Sequence, residues 1–337
     1  MRLSDFQFEV PPELVAQRPA QPRDMSRLMC LRRDTGEISH HRFRDLPALL
    51  DESYTLVVND SRVIRARLWG RYAGRRVEVF LLKELGDGRW SCLPDEHAPL
   101  PAGAVVLFDN SALQATVVAP SPDGSVEYRF SGAAVLEEAE RIGEVPLPPY
   151  VQDASGAPQY QTVYAQHDGS VAAPTAGLHF TPEVLDALHA KGVARRTVTL
   201  HVSYGTFATV KTEDLDQHRM QTESFHLTPE CASLLMADKR QGKRILAVGT
   251  TSTRVLETCS REDGTLVPQT GETSLFIRPP YRFKFVDALL TNFHMPGLTP
   301  IMLTSAMAGH ELTLRAYRIA VEQRYRFYSF GDSMLIL

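Results

Sequence analysis

The chain has 337 residues, 43% of them hydrophobic, with 36 Lys+Arg against 40 Asp+Glu and a formal net charge of −4. That apolar content excludes a disordered chain, and a mean hydropathy of −0.19 without a long apolar run excludes membrane spans. Near-balanced charge argues against a non-specific polyanion binder and leaves room for a local basic face.

The start, MRLSDFQFEV, carries acids and no apolar stretch, so it does not read as a secretory signal. Asp45–Leu50 reads as a short helical turn. Tyr54–Val58 is a β-branched strand ending in Asn59-Asp60, a common place for functional polar groups in α/β folds. Residues 62–145 change character. Short alternating runs at Arg75–Leu82, Arg89–Leu93, Ala104–Phe108, Leu113–Val118 and Ser125–Phe130 are separated by Gly/Asp/Pro turns, which predicts a small antiparallel barrel or sandwich. A helix follows at Val135–Ile142, then a stiff Pro146–Tyr150 segment that re-enters the first domain.

From residue 160 the pattern returns to α/β. Pro182–Lys191 is a helix stopped by Gly192, and Arg196–Val202 a strand. Pro229–Gln241 is a helix stopped by Gly242, and Arg244–Val248 a strand. Val286–Thr291 leads into Asn292-Phe293-His294, Leu312–Tyr325 is helical, and Ser333–Leu337 closes as a strand. The length allows about two domains. The cysteines, Cys30, Cys92, Cys231 and Cys259, are far apart with no zinc-ligand spacing, so they read as buried thiols of a cytoplasmic protein.

Four polar clusters fall where strands end. The first is Gly169–Pro182, whose Ala173, Pro174, Thr175, Ala176 and Gly177 let a backbone approach a ligand closely, with His179 beyond. Thr181 before Pro182 reads as an N-cap, and a helix N-terminus suits phosphate or carboxylate; the alternative is a tight turn packed on the sheet. The second is His201–Phe207, with Gly205, Thr206 and Phe207. His201 either moves a proton or is a hydrogen-bonded strand-end residue. Downstream, His218 and Glu223 form a polar knot, Glu223 being a proton acceptor, an arginine partner or half of a solvated pair. The third, Gly249-Thr250-Thr251-Ser252 and Arg254, is a turn-to-helix cradle for an anion or ribose, without a P-loop or Rossmann fingerprint; Arg254 and Glu257 are spaced to pair. The fourth joins Asn292 and His294 to Tyr325, Arg326 and Asp332, either a base-stacking and phosphate-holding group or core packing. Spacing alone therefore indicates an α/β enzyme with a nucleotide-like ligand.

These segments, in this order, resemble the S-adenosylmethionine:tRNA ribosyltransferase-isomerase family of queuosine synthesis. The likeness is carried by Met1–Phe6, Asn59–Ile64 (including Asn59 and Arg62), Pro146–Tyr150, Tyr160–Tyr164, Gly169–Phe180, Ala247–Ser252, Leu290–His294 and Tyr325–Asp332. It implies an α/β core over 1–61 and 146–337 with a small antiparallel β-barrel inserted at 62–145. It also implies that S-adenosylmethionine serves as ribosyl donor and co-substrate. The acceptor is 7-aminomethyl-7-deazaguanine at the tRNA wobble position, adenine and methionine leave, and epoxyqueuosine forms. The chemistry requires a proton to leave the carbon beside the sulfonium and asks for no metal or other cofactor. His179, His201, His218, Glu223 and His294 are the acid/base candidates. Gly169–His179 and Gly249–Ser252 are expected at S-adenosylmethionine, and a monomer is expected.

The sequence departs from the family pattern at Pro94–His97, where Asp95 and Glu96 replace basic residues, and at Ser203-Tyr204, Gln221-Thr222, Ser274 before a late Phe-Ile strand, and Gly297-Leu298. Two other readings follow: a paralogue with a small-molecule acceptor, and a non-catalytic RNA-binding protein.

Overall fold

The computed structural model describes residues 1–95, 99–207 and 209–337, and of residues 154, 156, 206 and 207 the main chain alone. It divides into two compact units: Met1–Ser61 with Pro148–His167 and Ala173–Leu337, and Arg62–Leu147 with Asp168–Ala172. In chain order the elements begin with β1 (Arg27–Leu31), β2 (Ile38–Arg42), α1 (Leu46–Leu49), β3 (Tyr54–Asn59) and β4 (Ser61–Val63). The smaller unit follows with β5 (Arg67–Tyr72), β6 (Arg75–Gly86), β7 (Arg89–Leu93), β8 (Val105–Phe108), β9 (Gln114–Pro120), β10 (Val126–Ser131) and α2 (Val135–Ile142). Then come β11 (His167–Ser170), α3 (Pro182–Ala190), β12 (Ala194–Leu200), β13 (Glu223–Leu227), α4 (Pro229–Arg240), β14 (Arg244–Val248) and α5 (Gly249–Cys259). The chain ends with β15 (Gln269–Thr273), β16 (Ala288–Asn292), α6 (Thr299–Ala308), α7 (His310–Glu322) and β17 (Ser333–Ile336).

The larger unit is built on a nine-stranded sheet ordered β15-β13-β12-β3-β14-β16-β17-β1-β2. Its middle strands β3, β16 and β17 are buried at every residue. Helices cover such strands on both faces, so they read as unbroken apolar runs rather than alternating ones. Alternate residues Leu56, Val58, Leu246, Val248 and Leu290 share one core with Phe43, Phe180, Val184 and Leu188, which seats α3 on that face. Thr181 caps α3, its side chain accepting from the Val184 N–H at 3.4 Å, and Gly192 follows the helix at φ +79°.

β12 and β14 both run parallel to β3, and β16 runs parallel to β14. The ends of these four strands, at Asn59, Leu200, Val248 and Asn292, therefore share one edge of the sheet. From β3 the chain passes to β12 on one side and then to β14 and β16 on the other. A reversal of that kind opens a crevice at the strand ends where α/β proteins bind ligands.

The smaller unit contains a closed barrel of six antiparallel strands, ordered β10-β7-β6-β5-β8-β9. Val77, Val79, Leu81, Trp90, Val106 and Phe108 are buried in it. Gly70 permits close strand approach, since a Cβ there would lie 2.4 Å from Val106 Cγ1 and 2.9 Å from the Leu107 carbonyl oxygen. Acids pair with four arginines of this unit: Arg62 with Asp168 at 3.0 Å, Arg65 with Glu140 at 3.7 Å, Arg67 with Glu78 at 2.6 Å and Arg71 with Asp109 at 3.1 Å. Asp95 accepts the Glu78 main-chain N–H at 3.0 Å, which gives this acid a role within the barrel; Glu96 and His97 lie outside the described residues.

One expectation is corrected. Phe276-Ile277 is not a strand; β15 ends at Thr273 and the next residues are irregular. Among the described residues no helix is long and apolar enough to cross a membrane.

Candidate functional site

Asn292, at the end of β16, gathers the first and fourth clusters. Its Oδ1 accepts from Thr175 Oγ1 at 3.0 Å, and its Nδ2 lies 3.1 Å from His179 Nε2 and 3.3 Å from the Tyr328 carbonyl oxygen. The amide nitrogen can only donate, so His179 Nε2 accepts and Nδ1 carries the proton toward Ser26 Oγ, 2.8 Å away. The imidazole stacks on Phe43 at 5.1 Å, and burial pulls its pKa down to about 4. His179 is thus a neutral ring with both nitrogens engaged, suited to holding Asn292 and Thr175 in place.

The second and third clusters meet at a cavity of about 360 Å³. Ser203, Gly205, His218, Gln221, Glu223, Thr250, Thr251 and Arg254 line it, with Lys211 and Arg219 adding cations and Phe276 an aromatic wall. Glu223 and Arg254, 5% and 6% exposed, form a buried ion pair in its lining. Glu223 also accepts the Ser203 N–H at 3.1 Å, while Arg254 donates to the carbonyls of Leu275 at 3.0 Å and Thr273 at 3.1 Å. Burial lowers the Arg254 pKa to about 10. The i, i+3 pairing of Arg254 with Glu257 does not form. Glu257 instead accepts from Tyr281 Oη and the N–H groups of Lys284, Phe285 and Val286, all at 2.9–3.0 Å.

The expected turn at Gly249–Ser252 is the first turn of α5 itself, and no side chain caps that helix. Thr251 Oγ1 and Ser252 Oγ are buried there without a hydrogen-bond partner among the described residues. Thr251 lines the cavity, whereas Ser252 is fully buried behind it. Gly249 has φ +83°, and a Cβ on it would lie 3.6 Å from Ala176 Cβ. The Ala173–Gly177 turn therefore packs directly against this helix start. His218 is half-buried, its ring edge-on to Phe276 at 5.0 Å, and burial lowers its pKa below the ordinary histidine value.

Other candidates lie apart from the cavity lining. His294 is half-buried, its Nε2 2.8 Å from Thr291 Oγ1 and its N–H donating to Tyr317 Oη at 3.0 Å, with its pKa lowered to about 3 by desolvation. Tyr325 is core packing beneath the Arg27 guanidinium, 3.8 Å from its ring centroid. Asp332 accepts the main-chain N–H groups of Arg27 and Arg326, both at 2.8 Å. Asn59 ties β3 to β12, accepting from Leu200 N–H and donating to the Leu200 carbonyl. His201 follows β12, its N–H donating to the Ser224 carbonyl at 2.9 Å. Arg62 belongs to the smaller unit. The side chains of Thr206 and Phe207 lie outside the described residues. Sequence reasoning missed Ser26, Lys211, Arg219 and Phe276. Ser26 carries no local signal, because its partner His179 is 153 positions away.

Comparison with known proteins agrees along the whole chain. A family model described as "Queuosine biosynthesis protein" matches residues 3–336. A Symbiobacterium thermophilum protein named S-adenosylmethionine:tRNA ribosyltransferase-isomerase is 51% identical over 341 residues, covering all of both chains. An Acetivibrio thermocellus protein of the same name is 48% identical, again over all of both. The crystal structure of S-adenosylmethionine tRNA ribosyltransferase from Thermotoga maritima matches with a TM-score of 0.56 at 37% identity, covering 99% of this chain and 100% of that one.

Proposed function

Because the chain belongs to the queuosine biosynthesis protein family, we propose that it is an S-adenosylmethionine:tRNA ribosyltransferase-isomerase. The observation that carries this is the 51% identity, over all of both chains, to a relative of that name. The enzyme transfers the ribosyl group of S-adenosylmethionine to the aminomethyl group of a deazaguanine in tRNA, isomerises it, and releases adenine and methionine.

The cavity beside α5 supports a division of roles. S-adenosylmethionine lies there, its sugar or carboxylate taken by Thr250, Thr251 and the N–H groups of the helix start. The sulfonium acidifies the adjacent carbon, so a neutral base suffices to remove the proton. His218 has a lowered pKa, so its imidazole is neutral at pH 7, and it lines the cavity. Glu223, already matched by Arg254, is the fixed negative charge that tolerates an approaching sulfonium. His179, buried and engaged through both ring nitrogens, and His294, half-buried and bonded to Thr291, position Asn292 and the strand end.

Incubation with S-adenosylmethionine and tRNA carrying 7-aminomethyl-7-deazaguanine tests the reading. Adenine and methionine should be released only when that tRNA is present. Release with a free amine in place of tRNA, or no release at all, would overturn it.

A further inference from the structure

Tyr150 and Tyr328, both in the larger unit, do not line the cavity. Their rings lie face to face, centroids 3.8 Å apart and planes inclined by 14°, and both residues are half-buried. Tyr328 adopts φ +71°, a left-handed conformation that strains a bulky residue. Three hydrogen bonds hold it there. Its N–H donates to the Phe293 carbonyl at 2.9 Å, and its own carbonyl accepts from Gly331 N–H at 3.0 Å and from Asn292 Nδ2 at 3.3 Å. Ser329 N–H donates to Tyr150 Oη at 3.3 Å, which fixes the second ring. The amide that imposes the strained turn is the same one that holds Thr175 and His179. Simple burial would not require this, because a half-buried ring forgoes part of the apolar gain while the backbone strain is still present.

We propose that the Tyr150–Tyr328 pair is a stacking platform for an unpaired base of the RNA loop that carries the acceptor. The inference rests on the tRNA reading above and adds the surface that recognises the loop. Proteins read single-stranded RNA by stacking its splayed bases on aromatic rings, a contact that tolerates any base. An RNA base fits here better than the adenine of S-adenosylmethionine, since a small nucleoside needs an enclosing cavity. Gln17 donates to the Tyr150 carbonyl at 3.0 Å, and Arg326 donates to the neighbouring Arg18 carbonyl at 3.1 Å, so two arginines flank the pair. Each already has an acid, Asp153 or Asp332. Stacking, rather than phosphate charge, supplies the contact.

Binding of an RNA hairpin carrying the anticodon loop to the full-length protein tests this, at about 50 and about 200 mM salt. Asparagine tolerates a left-handed φ, so Tyr328→Asn removes the ring and keeps the turn. That variant should bind the hairpin about ten-fold more weakly at both salt concentrations, leaving the salt slope, the Tm and the KM for S-adenosylmethionine unmoved. Tyr328→Phe, which keeps the ring, should bind within about two-fold of wild type. Wild-type affinity in Tyr328→Asn, a rise in the S-adenosylmethionine KM instead, or an equal loss in Tyr328→Phe would each overturn the proposal. Should Tyr328→Asn lower the Tm, Tyr150→Leu decides: weakened hairpin binding supports the platform and wild-type binding ends it. Titration needs no turnover. A wild-type protein that bound the hairpin without releasing adenine would therefore refute the activity and still decide the platform.

Discussion

At the scale of single residues, the Glu223–Arg254 pair sets the terms of the cavity. Removing one partner strands a buried charge, so Arg254→Met should cost about 3–5 kcal/mol in urea denaturation. Replacing both should restore much of that loss, which a double-mutant cycle measures. Acid sensitivity should come from His179 and His294, whose charged forms are desolvated. Burial holds the folded pKa of His179 near 4, below the ordinary 6.5, so the unfolded chain binds the extra proton. Stability from this group is complete above about pH 6.5 and is lost as pH falls toward 4, by up to about 3 kcal/mol. His294 adds a loss of the same sign, and His294→Gln should flatten the pH dependence of the urea midpoint. His218 works in the opposite role, as a group that must stay neutral to act. Its lowered pKa places the acid limb of the kcat/KM profile below pH 6.5. His218→Gln should abolish that limb and reduce kcat by about 10²–10⁴ while folding normally. Residue identities in these clusters were readable in the sequence, but partnerships were not. Arg254 sits one turn from Glu257, yet it pairs with Glu223 because four donors from residues 281–286 already saturate Glu257.

At the scale of elements, the start of α5 is where sequence and site coincide most closely. Gly249→Ala would force a side chain into φ +83°, costing about 1–2 kcal/mol. The KM for S-adenosylmethionine should rise as the Thr251–Ser252 turn shifts; an unchanged KM would place the ligand elsewhere. Elements with punctuation were legible. β7, α2 and β14 match their sequence bounds, and α3 and α4 begin at Thr-Pro caps and stop at glycine. Elements without it were not. α6, TPIMLTSAMA, is buried nearly all round, so it has no polar face to reveal a helical period. β5, β13 and β15 are short and polar at several positions. Their strand state comes from pairing with β6, β12 and each other rather than from local preference.

At the scale of the whole molecule, the net charge of −4 hides a local compensation. Arg62, Arg65, Arg67 and Arg71, before and within the barrel, are answered by Asp168, Glu140, Glu78 and Asp109. tRNA affinity should accordingly depend weakly on salt, with a log–log slope shallower than about −4, measured by filter binding or fluorescence. The sheet order has a consequence for synthesis. β1 reaches the rest of the sheet only through β17, in a parallel ladder that pairs Leu28 with Ser333 and Leu31 with Ile336. About 300 residues separate these partners, and at about 5–20 residues per second a ribosome needs roughly 15–60 s to make the second after the first. Through that interval the β1–β2 hairpin waits with one apolar edge unpaired, so this nascent chain depends on whatever shields that edge until its final strand emerges.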